Sequence, residues 1–313
     1  MRILFYADWP LSWPYLTPMF NYMKALNEKY DRHWELGRWD STNMGSSGDL
    51  DYDYVFVTDE ESNCPAKGTY VNLTHGLASK GQSWSTSRKD TYLNYPGFIV
   101  CPSEYYKDLL TNMGVSEDKL IVAGLTKFDG IKKIPPLREK PRVLFAPTWN
   151  PELSAISVLK DSIYEIEGVK VHLHERSRSH SDAPQLYPRY SSGDVTQAIL
   201  DSDIVIADFG STVLEAMALG KYVIQVANPE HEEWYLKKKS IPSFDLPKLP
   251  EFFYTYKYAR RAVEIDGVKH SIQDYMRYDK GYASCPDWLD TIVENIGNAS
   301  EVIYESLFGG KAD

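Results

Sequence analysis

Short apolar runs recur along the chain and alternate with amphipathic stretches. "RILFYA" opens the sequence, and "YVFVT", "TYVNLT", "GFIVCP" and "KLIVAG" follow. A helix is predicted over about residues 17–29. Between the last two runs lies "SEYYKDLLTNMG", with a serine to cap its start and Gly114 to end it. Strands alternating with helices argue for a parallel sheet covered on both faces. The pattern breaks at residues 130–141, "GIKKIPPLREKP", where adjacent prolines can continue neither a helix nor a central strand. It then restarts. "RVLFAP", "VKVHLH", "DIVIADF" and "KYVIQVA" read as strands; "ELSAISVLKDSIYEIEG", "DVTQAILDS" and "STVLEAMALG" read as helices. Beyond about residue 228 the periodicity fades, and a final helix fits residues 287–307. The expectation is an α/β protein of two Rossmann-like, doubly wound domains facing a cleft. Their expected boundaries are 1–133 for the first domain and 134–285 for the second. Residues 286–313 are expected to form a helix packing back on the first domain.

Composition narrows the classes. The 313 residues suffice for two domains with substantial cores. A net charge of −10 speaks against a broad nucleic-acid grip. Cys64, Cys101 and Cys285 are widely spaced and odd in number. They suggest neither a disulfide framework nor a metal site, and so a cytoplasmic protein. No run approaches the roughly 18 apolar residues of a membrane span, so membrane contact is expected to be peripheral at most. Aromatic residues crowd "DWPLSWPY" and "EFFYTYKY", as rim packing or as a surface for sugars or polyols.

In open α/β sheets ligands sit beyond the carboxyl ends of the strands, so the residues there are the candidates. After "IVIADF" come Gly210, Ser211 and Thr212, opening a helix whose N–H groups and dipole favour an anion such as phosphate. Glu215, one turn further in, is placed to reach a hydroxyl. Thr148 stands at the tip of "RVLFAP", followed by Trp149. On a strand, His172 and His174 share one face. Arg176 and Arg178 add positive charge just beyond, which suits a phosphate better than a metal. In the first half His75 ends its strand before Gly76, and a neutral imidazole there can take a proton from a hydroxyl. Asp129, past another strand, is placed to orient it. Each stretch also has a plainer reading, as an N-cap, a turn or a solvated polar face.

Taken in order, "VNLTHGLASKG", "CPSEYYKDLLTNMGV", "IVAGLTKFD", "VLFAPTW", "VHLHE" and "IADFGSTVLEAMALGKYVI" resemble the CDP-glycerol glycerophosphotransferases of teichoic-acid synthesis. More loosely they resemble other nucleotide-sugar transferases of the GT-B fold. The resemblance covers roughly residues 70–226. It implies a metal-independent transferase with the nucleotide donor held mainly by the C-terminal domain, 134–285, and the N-terminal domain, 1–133, on the acceptor side. It places the family's catalytic histidine on His75, beside Gly76, and its Gly-x-x-x-x-Asp segment on Gly124 to Asp129. Its second histidine falls on His174, against the diphosphate. Its Asp-Tyr-Ser-Ser stretch falls on Asp208 to Ser211 and its later acidic residue on Glu215. The chain departs from the pattern at Asn150, Glu175 and Gly210, which stand where a basic residue, a proline and a serine are usual.

The expected function is transfer of a glycerol-phosphate, polyol-phosphate or sugar group from a nucleotide-diphosphate donor to an acceptor hydroxyl. The acceptor would be a polyol phosphate, glycan or glycolipid. His75 and Asp129 are the catalytic candidates. Gly76, Thr148, His174, Arg176, Gly210, Ser211, Thr212 and Glu215 are the candidates for holding the nucleotide. The rivals are a UDP-sugar glycosyltransferase, a UDP-N-acetylhexosamine epimerase, and a catalytically silent module that binds nucleotide or carbohydrate.

Overall fold

The structure is a computed structural model that describes residues 1–42, 50–59, 62–78, 86–131, 138, 140–174, 176–177, 190–191, 193–277 and 289–309. Glu175, Arg178, Cys285 and most of the proline-rich stretch after Gly130 lie outside the described residues. The chain divides into two compact units. The first comprises Met1–His75, Thr86–Lys132 and Val293–Asp313; the second comprises Gly76–Ser85 and Lys133–Ile292.

The first unit is built on β1 (Arg2–Ala7), β2 (Glu35–Asp40), β3 (Asp51–Val57), β4 (Lys67–Asn72), β5 (Gly97–Cys101) and β6 (Leu120–Val122). They pair in the order β2-β1-β3-β4-β5-β6, and every pair is parallel. Both faces are buried, which is why the central strands read as continuous apolar runs. Phe5 and Ala7 of β1 enter one core, with the helix Trp13–Tyr30 and the helix Ala299–Phe308; Leu4 and Tyr6 enter the other. The first helix starts four residues before the predicted point because a proline fits its first turn, Pro14 here.

The helix Ala299–Phe308 completes the first core with Ile303, Tyr304, Leu307 and Phe308. Its first turn is held by Asp129, whose carboxylate accepts from the N–H of Ala299 (2.7 Å) and of Ser300 (3.1 Å). The chain reaches it over Gly124, which has φ +91°; a Cβ there would lie 2.1 Å from the Glu294 carbonyl oxygen. The single predicted helix over 287–307 is interrupted: Leu289–Ile292 and Ala299–Phe308 are separate, with Asn295 and Gly297 both at positive φ between them.

The second unit carries β7 (Val143–Phe145), β8 (Lys170–His172), β9 (Tyr190–Ser191), β10 (Ile204–Ala207), β11 (Tyr222–Val226) and β12 (Arg260–Ala262). Their order is β12-β11-β10-β7-β8-β9, again all parallel. From β7 the chain winds to β8 and β9 on one side, then returns to lay β10 on the other. The point of reversal therefore falls between β7 and β10, where ligands are received in such sheets. In the first unit it falls between β1 and β3. The predicted helix after "RVLFAP" is only Ala155–Leu159, followed by a 3-10 stretch, Lys160–Glu165; Lys160 at φ +45° breaks it. No helix among the described residues is long and apolar enough to cross a membrane.

Candidate active site

At the point of reversal in the second sheet, Asp208 follows β10 and is fully buried. Its carboxylate accepts from the backbone N–H of Thr148 (2.9 and 3.1 Å to its two oxygens), Ala155 (2.9 Å) and Gly210 (3.2 Å). One side chain thus ties the tip of β7, the start of the next helix and the turn after β10 into a single rigid edge. Charge-assisted bonds of this kind are about twice as strong as neutral ones. Gly210 then takes the N-cap place of the helix Ser211–Ala218, with no side chain capping it. A Cβ at Gly210 would lie 3.2 Å from Cβ and 3.4 Å from Oγ1 of Thr148. The glycine lets the β7 tip close on the helix start.

Ser211 is the first residue of that helix and does not cap it. Its Oγ accepts from the N–H of Leu77 and of Ala78, 3.1 Å each, so the oxygen is engaged and its hydrogen is left to donate. Thr212 stands beside it, half-buried; Glu215, in the second turn, is buried. The helix dipole directs positive potential out of this end.

On the other side of β7, the edge is basic and aromatic. Both histidines of "VHLH" were expected on one strand face; the strand stops at His172 and the two do different work. His172 is buried and donates from Nε2 to the Gly193 carbonyl at 3.2 Å, which makes it a packing residue. His174 lies past the strand end. Its Nδ1 accepts from the Arg176 N–H at 3.1 Å, so a neutral imidazole carries its proton on Nε2. The Arg176 guanidinium carbon lies 5.1 Å from the centre of the Trp149 ring, and the His174 ring 6.3 Å from it. Thr148, Gly210, Ser211, Thr212, His174 and Arg176 therefore belong to three neighbouring strand ends of one sheet. Together they bring three hydroxyls, helix-start N–H groups, an imidazole and a guanidinium to one edge. That set suits an anion with several oxygens.

In the first unit, β4 ends in a strained turn. Thr74 has φ +63°, unusual for a β-branched residue, and is held there by a bond from its hydroxyl to the Val100 carbonyl (2.6 Å). Its N–H donates to Asn72 Oδ1 (2.8 Å). Strain of this order costs roughly 1–3 kcal/mol and gathers at functional sites. It lifts His75 out to solvent, and Gly76 completes the turn at φ +82°. The imidazole packs 5.1 Å from the ring of Tyr15, and the ammonium of Lys127 lies 5.0 Å from the same ring. Asp129, expected to orient His75, has both oxygens at the start of the helix Ala299–Phe308 instead. Burial is the main cause pushing its pKa upward. Tyr15 and Lys127 escaped the sequence reading, since a neighbour across the fold leaves no local signal. Among the described residues no cluster of His, Cys, Asp and Glu could hold a metal ion.

No protein-family model matches the chain, and no curated protein matches it in sequence. Solved structures do match in fold. A structure of the wall teichoic acid polymerase TagF superposes with a TM-score of 0.66 at 14% identity, covering 99% of this chain and 88% of that one. The fold is GT-B. A UDP-GlcNAc 2-epimerase from Neisseria meningitidis, bound to UDP-GlcNAc, matches with a TM-score of 0.58 at 15% identity. There the match covers 99% of this chain and all of the other. A putative UDP-N-acetylglucosamine 2-epimerase from Listeria monocytogenes matches at 0.60 and 12% identity, over 100% and 97% of the two chains. At such identities the likeness is one of fold alone.

Proposed function

We propose that the chain is a GT-B transferase. It moves a glycerol-phosphate, polyol-phosphate or sugar group from a nucleotide-diphosphate donor to an acceptor hydroxyl. The observation that carries this reading is the convergence of Thr148, His174, Arg176 and the start of the helix Ser211–Ala218 at the point of strand reversal of the second sheet. The neighbours lend support: one TagF structure followed a soak with CDPG, and one epimerase structure holds UDP-GlcNAc.

In the reaction, His75 takes the proton of the acceptor hydroxyl as its oxygen attacks the donor. The bond to the leaving nucleotide phosphate breaks, and the negative charge passes to that phosphate. The helix start, Thr148, the Nε2 proton of His174 and Arg176 hold the charge, with Gly76 and Gly210 giving close backbone approach. No metal ion is assigned a part. General-base help is worth about 10²–10⁴ in rate, and a preorganised anion site gives a similar factor. Asp129 contributes by fixing the loop that carries Lys127.

The test is a thermal-shift panel of CDP-glycerol, CDP, UDP and UDP-sugars, followed by turnover of His75→Ala. Ligand at 100 times Kd raises stability by about 2.7 kcal/mol. The expected result is a nucleotide-selective shift, kept by His75→Ala while turnover falls by about 10²–10⁴. A variant that turns over normally would remove His75 from the mechanism. A second reading, epimerisation of a UDP-N-acetylhexosamine, rests on the near-complete mutual coverage with the epimerase structures. Conversion of UDP-GlcNAc without any acceptor would decide for it.

A further inference from the structure

The point of reversal in the first sheet holds a carboxylate that the reaction above does not use. Asp8 directly follows β1 and is 8% exposed. Its Oδ1 accepts from the Asn63 N–H at 2.9 Å. Its Oδ2 is buried and has no hydrogen-bond partner among the described residues. Among the described residues its charge acts on Tyr6, Cys64 and Tyr70, and burial first, with the carboxylate adding, raises the pKa of each. All three are acids, so none supplies a compensating cation. A buried carboxylate oxygen left unmet is costly, and among the described side chains with an unmet buried polar atom Asp8 is the one carboxylate.

Its surroundings are polar and aromatic. Thr58, at the end of β3, donates to Ser12 Oγ at 2.8 Å, which leaves Ser12 a hydrogen to donate. Both hydroxyls are buried. Trp9, the next residue after Asp8, is 55% exposed. A carboxylate acceptor, a hydroxyl donor and an indole 55% exposed, at the strand ends where sheets of this kind receive ligands, match a molecule with hydroxyls on one side and C–H groups on the other.

We propose that the β1/β3 edge of the first unit binds a sugar or polyol, with Asp8 Oδ2 accepting from a ligand hydroxyl, Ser12 donating to another, and the Trp9 indole covering the ligand's C–H face. Equating this ligand with the acceptor of the transfer rests on the transferase reading; the site itself does not.

The experiment is saturation-transfer NMR on the full chain without nucleotide, with N-acetylglucosamine, N-acetylmannosamine, glycerol and ribitol as probes. The wild type is expected to bind at least one. Asp8→Asn keeps an acceptor for the Asn63 N–H and replaces the charged Oδ2 acceptor with a neutral amide donor. It is expected to bind that probe at least tenfold more weakly while its melting temperature holds or rises. Trp9→Ala, a change at the surface, is expected to weaken the same probe. The proposal is overturned if no probe binds the wild type, if Asp8→Asn binds as well as wild type, or if Asp8→Asn melts several degrees lower. An Asp8-dependent probe signal in a chain that shifts with no nucleotide would sink the transferase reading and leave this site standing.

Discussion

The two sheets share an architecture and differ at their carboxyl edges. In the second, the polar groups are engaged with one another: Asp208 gathers the N–H groups of Thr148, Ala155 and Gly210, and Ser211 those of Leu77 and Ala78. Beside them stand a helix start, the His174 imidazole and the Arg176 guanidinium, the donors that the proposed anion site would use. In the first, Asp8 keeps an unmet oxygen, Thr74 is strained, and Trp9 and His75 stand in solvent. The lesson is that one fold can hold a rigid charge cradle or an edge with hydrogen-bonding capacity in reserve, depending on where its carboxylates find partners.

The sharpest way to break the contrast is Asp208→Asn. It removes the charge that several N–H groups converge on and turns an amide N–H toward some of them. A loss of about 3 kcal/mol or more is expected. It should appear as faster hydrogen exchange in the second unit, with the nucleotide-induced shift lost as well. Exchange unchanged across the second unit would mean that the cradle does not depend on Asp208.

A smaller effect should come from pH. His231 is buried edge-on against Phe209, and its Nδ1 accepts from the Asn228 N–H at 3.3 Å. Burial lowers its pKa to about 4. A histidine depressed in the folded state gives stability that is complete above its unfolded pKa of about 6.5 and is lost as pH falls toward the folded value. Between pH 7 and 4.5 the second unit should lose on the order of 2 kcal/mol through this group. Urea midpoints at the two pH values measure it, and His231→Gln should flatten the slope. A slope that persists in the variant would assign the pH dependence to other groups.

The smallest of the three concerns the first unit. Asp129→Ala removes a helix cap, for about 1–2 kcal/mol. Exchange should quicken in Ala299–Phe308 and leave the second unit untouched. If turnover fell a thousandfold with stability intact, Asp129 would belong with His75 after all.

Most of the strand framework was legible in the sequence because parallel strands buried on both faces are unbroken apolar runs. The elements that escaped are those without such a run. β2, "ELGRWD", is an edge strand half-exposed along its length, and β9 is two residues long. The strand-end candidates of the second unit were legible too, since Gly210, Ser211 and Thr148 lie next to their strands in sequence. Asp129 was placed by its neighbours in the chain and misjudged by its neighbours in space: its partners lie 170 and 171 residues away. Asp8 stood in plain view after "RILFYA", but only the fold shows that one of its oxygens has no partner.

The helix Ala299–Phe308 has a consequence for synthesis. It covers one face of a sheet whose last strand ends at Val122, so that face is translated long before its cover. At 5–20 residues per second the interval is roughly 10–40 s. During it, Phe5, Phe56 and Val71 have no helix 299–308 to meet. The second unit, whose described strands and core fall within one stretch of chain, can be complete first. The half that emerges earliest from the ribosome is therefore the half that finishes last, and its open sheet face is where a chaperone has reason to wait.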